Sequence, residues 1–425
     1  MKKIILFFAC FLSAVGLFAQ LTIEDCQEKA RNNYPLIRQY NLIEQSQHFS
    51  VTNANRGYLP QILISGQATY QSDVTSINLS PIAQNMGIEF PQPSKDQYQV
   101  IAEVSQTVWD GGIIRSQKKI ANASAEVEKQ KNEVNIYGTL QERINQLYFG
   151  ILLLNEQLKQ HDLLQKELQI NYDRISAFVQ NGIANQSDID IINVEILRSN
   201  QQKAEIESLQ KSYMQMLSSM IGETVNNPFM LVKPDYQELM LAVSSENNRP
   251  ELKLFDAQKE LYSNQIRSVK AINMPKINLF ARGGYARPGL NLLSNDFEPF
   301  YIAGVKLAWN ISGFYTQKNN IQNIKLNQQS VEVQRASFLY NTNLRVIEQQ
   351  NAIEKAVAQL KSDDEIIRLR NNVKTATAVK VENGTSSTSD LVRDINAASL
   401  SVQNKTLHEM QLLISIYNLK AIQNN

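Results

Sequence analysis

Cysteine is nearly absent from this chain: Cys10 and Cys26 are the only two among 425 residues. Cys10 lies in MKKIILFFACFLSAVGLFAQ, which has the anatomy of a secretory signal. Lys2 and Lys3 form the charged end, Ile4 to Phe18 the apolar run, and Leu17-Phe18-Ala19 a cleavage site before Gln20. Cleavage leaves Cys26 alone, so no internal disulfide is possible. An excess of either charge is missing too. The net charge of +1 becomes −1 once Lys2 and Lys3 are removed, which gives no footprint for nucleic acid. The three histidines, His48, His161 and His408, are too far apart to suggest a metal site. Beyond the signal there is no run of eighteen apolar residues, so an exported form enters a membrane only as strands. No nucleophile sits beside a base, and TSSTS (Thr385 to Ser389) reads as turn and helix-cap chemistry. An enzyme is not expected, nor a cofactor or a metal.

What the chain has in abundance is helical period. From Val108-Trp109-Asp110-Gly111-Gly112 to about Val179 no proline intervenes. Leu140, Leu147, Leu154, His161, Leu168 and Ile175 recur by sevens. Tyr137, Ile144, Ile151, Leu158, Gln165, Tyr172 and Val179 form an interleaved series, and Ile113, Ile120, Val127 and Val134 the same spacing upstream. Two interleaved sevens mark a coiled-coil seam, with His161 at a polar layer of it. A helix of roughly 68 residues is about 100 Å long, several times the usual length.

The order of elements repeats. Pro35 and Pro60 are matched by Pro250 and Pro275. Period-two stretches near Ile62–Tyr70 and Tyr98–Val108 are matched by Ile277–Arg287 and Phe300–Trp309. A second long helix is predicted from about Phe314 to Val381. VQNGIANQSD (Val179 to Asp188) is matched in register by VENGTSSTSD (Val381 to Asp390). The reading is a signal over 1–19, a first repeat over 20–221, an irregular segment over 222–248 and a second repeat over 249–425. Four strands cannot close a barrel, for which about eight are the practical minimum. The strands are therefore either two soluble hairpins or one share of a barrel closed by several copies.

The motifs resemble those of the TolC-like outer-membrane efflux proteins over essentially the whole mature length. QTVWDGG (Gln106 to Gly112) is similar to that family's strand-to-helix passage, and LTIEDCQEKARNNYP (Leu21 to Pro35) to its mature start. Gly182 to Asp188 and Gly384 to Asp390 are similar to its helical tips. The resemblance implies an α+β membrane protein: a homotrimer, four strands per subunit in a twelve-stranded β-barrel, and a long periplasmic α-helical coiled-coil barrel. It implies an outer-membrane channel for efflux or type I secretion, giving passive exit to cargo from an inner-membrane RND or ABC-type pump through a periplasmic adaptor. A periplasmic coiled-coil scaffold without a pore is the alternative.

The same resemblance assigns sites. Asp390, with Asp394 one turn on, is expected to narrow the tube's closed end; Asp188 reads equally as a helix cap or as part of this gate. The family's bracing Tyr and Arg are replaced here by Val381 and Ser386, so Arg393 is the candidate latch. Asn181, Gly182, Asn383 and Gly384 end long helices and are candidates for adaptor contact. Trp109, Asp110, Gly111, Gly112, Trp309 and Gly313 form the two passages. Both tryptophans are expected at the periplasmic membrane–water boundary.

Overall fold

The computed structural model describes residues 20–75, 93–241, 247–292 and 294–424. The signal stretch and most of the first proline-marked loop lie outside them. The elements are α1 (Ile23–Asn33), a 3-10 turn (Pro35–Arg38), α2 (Gln39–Arg56), β1 (Gln61–Tyr70), β2 (Asp96–Trp109), α3 (Ile113–Gln180) and α4 (Gln186–Ile221). A second series follows: α5 (Tyr236–Leu241), α6 (Pro250–Ile272), β3 (Lys276–Arg287), β4 (Glu298–Ala308), α7 (Phe314–Glu382) and α8 (Thr388–Gln423). The order helix, two strands, very long helix, return helix thus occurs twice. The linking segment is less irregular than the sequence suggests, since it holds α5 and a 3-10 turn at Pro228–Met230.

By their contacts the residues fall into two compact units, and each draws on both halves of the chain. Among the described residues the first comprises 20–39, 132–241, 247–252 and 336–424, and its regular elements are helices apart from one β-bridge. Its core is the seam read from sequence. Leu140, Leu147, Leu154, Leu168 and Ile175 are buried, and Ile144 and Ile151 are completely so. Leu168 packs with Leu391 and Ile395 of α8, while Leu412 and Ile416 of α8 form a separate cluster with Ala356 of α7. Upstream the sevens weaken: Ile113, Ile120, Val127 and Val134 are half-buried, and Ile114, Ala123 and Ala125 are the enclosed positions.

The N-terminal end is fastened to this core. Thr22 and Asp25 form a reciprocal cap on α1. Leu21 forms a β-bridge with Leu231, and the Tyr148 hydroxyl lies 2.8 Å from the Leu21 carbonyl and 2.6 Å from that of Val232. Cys26 is buried beneath, and burial pushes its thiol up to about 12, which leaves it protonated and inert. At the other end, the Arg249 guanidinium pairs with Glu251, donates to the Ala421 carbonyl and lies over the Tyr137 ring.

The duplication extends to single contacts. Lys203 pairs with Asp162 at 2.6 Å, and Lys405 with Asp364 at 2.6 Å. These partners stand 202 positions apart, as Gly182 and Gly384 do. His161, one residue before Asp162, is buried with Nδ1 3.4 Å from Ser199 Oγ, and burial lowers its pKa. Its counterpart is Asp363, buried and 2.8 Å from His408. Both halves therefore place a polar layer at the same depth of the seam.

The second unit comprises 40–131 and 253–335. Here the two strand pairs are not separate hairpins. They form one antiparallel sheet in the order β1-β2-β3-β4, in which β2 of the first half pairs with β3 of the second.

Candidate functional site

The register assigns every strand residue to a face. One face carries Ile62, Ile64, Ala68 and Tyr70 of β1; Tyr98, Val100, Ala102 and Val104 of β2; Leu279, Ala281 and Tyr285 of β3; and Tyr301, Ala303, Val305 and Leu307 of β4. It carries no charge between its rims. The other face carries Gln67, Gln99, Glu103, Ser105, Asn278, Arg282 and Lys306, with Leu63, Ile101, Phe280 and Ile302 among them. Gln67 and Gln99 are bonded across it at 2.6 Å. A soluble sheet buries its apolar face; this one does not. Ile62, Val305 and Tyr301 are 71%, 67% and 84% exposed, and among the described residues no helix packs on either face. In β2 as far as Ser105 and in β4 as far as Gly304 exposure alternates, with the first face open and the second half-covered. That alternation describes a curved sheet whose polar face is concave. Tyrosines mark one end of the apolar face (Tyr70, Tyr98, Tyr285, Tyr301), and the two tryptophans mark the other.

Trp109 reaches that face through a bulge. The pairing runs Thr107 to Asn278 and then Trp109 to Ile277, which leaves Val108 as the extra residue. Unbroken alternation would have turned Trp109 to the polar side. The bulge re-aims it beside Ile277, and Trp309 directly follows the last residue of β4.

The first strand-to-helix passage is compact. Asp110 is buried, and its carboxylate accepts from Gly112 N at 2.8 Å and Ile114 N at 2.6 Å, capping α3. Gly111 and Gly112 have φ of +71° and +91°, and Gly111 lies against Met274 and the Ala271 carbonyl. The second passage is built differently. Trp309 Nε1 donates to the Asn273 carbonyl, and the Asn273 amide donates to the Gly313 carbonyl and to Gln317. Asn310, where Asp110 stood, bonds to Ser312 instead. Asn273 is the residue that sequence reasoning missed, because its role is set by partners far along the chain. Replacing Asp110 with alanine should destabilise this unit by about 1–2 kcal/mol, the usual loss for a helix cap; thermal unfolding checks it against Asn310→Ala, expected to be nearly neutral.

The two tips are alike. Ile183 N bonds to the Phe178 carbonyl and Gly182 N to that of Val179; Thr385 N and Gly384 N repeat this with Lys380 and Val381. Each is a helix end closed by a left-handed glycine, with φ of +74° at Gly182 and +68° at Gly384. The amides of Asn181 and Asn383 reach back to the carbonyls of Ala177 and Val379. Open space surrounds both glycines.

At the next helix starts both aspartates act as caps. Asp188 accepts from Asn185 N at 3.0 Å, and Asp390 accepts from the Ser387 hydroxyl at 2.7 Å and from Ser387 N. The Ser387 hydroxyl holds the Asp390 carboxyl below the ordinary range. Arg393 pairs with Asp390 at 2.9 Å and touches Asp394 at 3.4 Å. Asp394 is buried, and its other oxygen accepts from Thr377 of α7 at 2.7 Å. Arg393 therefore bridges an exposed carboxylate and an enclosed one. Leu391, Val392 and Ile395 anchor this turn of α8 against Leu168 and Ile175 of α3.

The sequence matches no family model and no curated protein. The fold is that of several solved structures. CusC, from a study of folding and transmembrane channel formation, superposes with a TM-score of 0.68 at 13% identity, covering 94% of this chain and 91% of that one. The CmeC outer membrane channel of Campylobacter jejuni gives 0.63 at 12% identity, with 94% and 85% covered. The open state of the MtrE outer membrane channel of Neisseria gonorrhoeae gives 0.62 at 14% identity, with 95% and 89% covered.

Proposed function

We propose that three copies of this chain close a twelve-stranded barrel in the outer membrane and act as a passive exit channel of a TolC-like efflux or secretion system. The observation that carries this reading is the uncovered sheet. An apolar convex face and two unpaired edges, β1 and β4, are unstable in water, and open edges are equally forbidden in lipid. Pairing β4 of one copy with β1 of the next removes the edges, turns the apolar face to lipid and leaves the polar concave face lining a pore. The long helices support the same reading. Leu326, Val333, Tyr340, Leu344 and Ile347 of α7 are all exposed in the single chain, and neighbouring copies would cover them. No described helix is long and apolar enough to cross a membrane, so α3 and α7 would form the periplasmic tunnel wall. The likeness to solved outer-membrane channels over more than nine-tenths of the chain supports it further.

On this reading the tips meet a periplasmic adaptor coupled to an inner-membrane pump, and Asp390, Arg393 and Asp394 hold the tunnel end closed. Reconstitution into a planar bilayer is the direct test. The channel reading expects discrete conductance steps from protein that runs as a trimer in mild detergent. A scaffold without a pore would give no steps and remain in solution without detergent.

A further inference from the structure

Charge is distributed unevenly along the second unit. Four segments meet where its strands end: 45–62, 105–125, 261–278 and 305–331. The contacts of Gly57 with Ile114, of Gly111 with Met274 and of Trp309 with Asn273 bring them together. They hold ten basic residues and one acidic residue, Asp110, which is buried and committed to capping α3. Arg56, Arg115, Arg267, Lys270, Lys318 and Lys325 are exposed, and among the described residues none of them has an acidic partner. Further from the sheet the same helices pair their charges: Lys129 with Glu44, Lys259 with Glu332, Arg335 with Asp256. The unpaired cations thus lie within about four helical turns of the two tryptophans that end the apolar face.

We infer that this collar binds the phosphates of anionic phospholipids in the periplasmic leaflet of the outer membrane. The inference rests on the barrel reading above, which fixes the tryptophans at the boundary and the helix ends just beyond it. The six exposed, unpaired positive charges of each copy repel one another, and a trimer would hold three such sets around one ring. Lysine and arginine stems run along apolar surface while their heads reach for anionic headgroups, each cation adding about fivefold to the attraction at the surface. The only acidic side chain in the zone is buried, so among the described residues of the zone no exposed carboxylate competes for the cations. A soluble acidic polymer of the periplasm would satisfy the charge but not the adjoining belt of tryptophan and open apolar strand, so the lipid is the better fit.

The test uses the full-length protein in vesicles of phosphatidylcholine alone and with one-third phosphatidylglycerol, with co-purified lipid counted by native mass spectrometry. The expected result is insertion into both, with the ratio of phosphatidylglycerol to phosphatidylcholine around the protein raised about fivefold or more over that of the vesicle, and the preference falling as salt rises. The variant Arg115→Gln/Lys270→Gln/Lys318→Gln/Lys325→Gln should insert equally well and lose most of the enrichment. The variant Lys355→Gln/Lys361→Gln, in the other unit, should keep it. Insertion with no preference, or preference retained by the fourfold variant, would overturn the collar and leave the barrel standing. Failure to insert in either vesicle would overturn both. Binding of a soluble polyanion as tight as that of the lipid would overturn the assignment to the membrane.

Discussion

An arginine introduced one residue before Arg282 is expected to keep this protein out of the membrane. Arg282 sits in β3 on the concave polar face; its neighbour Ala281 sits on the apolar one, opposite Ala303 and Val104. An arginine at 281 would lie midway between the tyrosine and tryptophan rims. There it costs about 2–4 kcal/mol in each copy, and closing three copies repeats the cost. Ala281→Arg should therefore abolish the membrane-inserted trimer, as seen by heat-modifiable migration and by fractionation, while Ala281→Leu is tolerated. Arg282→Ala, which removes the natural charge from the other face, should insert normally and change only conductance. If Ala281→Arg inserts as well as Ala281→Leu, the apolar face does not meet lipid.

The second large effect is expected at the first passage, where two adjacent glycines have unequal duties. A Cβ on Gly111 would stand 2.4 Å from the Met274 Cβ and 3.0 Å from the Ala271 carbonyl, in a backbone with φ of +71°. Neither neighbour can yield, since one is the root of a side chain and the other main chain. A Cβ on Gly112 meets nothing, so only the left-handed conformation is penalised, at about 1–2 kcal/mol. Gly111→Ala should lose assembled trimer almost completely, whereas Gly112→Ala should assemble with a modestly lowered melting temperature. Equal behaviour of the two would show that the backbone, not the contact with α6, governs this turn.

Much of this arrangement is legible in the residues because it depends on period. The sevens that include Leu140, Leu154 and Leu168 give the seam of the first unit, and the alternation of Ile64 with Ser65 and of Val104 with Glu103 gives the faces. Asn-Gly at 181–182 and 383–384 gives the helix ends. What alternation cannot carry is an interruption of itself: Trp109 has the parity of the polar face and reaches the apolar one through the bulge at Val108. Nor does local pattern disclose partners from distant segments. Asn273 holding the passage at Gly313, Thr377 holding Asp394, and the joining of β2 to β3 all depend on which segments meet. Asp188 and Asp390 were open to two readings for a related reason: a carboxylate three residues into a helix caps it wherever it sits, and only neighbouring copies could make it a constriction.

The union of β2 with β3 also governs the order in which the molecule can be made. More than 160 residues separate Trp109 from Lys276, so during export the first two strands emerge as an amphiphilic ribbon with one side of β2 unsatisfied. They must wait for most of the polypeptide to follow. A ribbon of that kind is prone to cling to its own kind while it waits. The sheet is therefore completed only after the second half has been made, and until then β1 and β2 have no partner beyond each other.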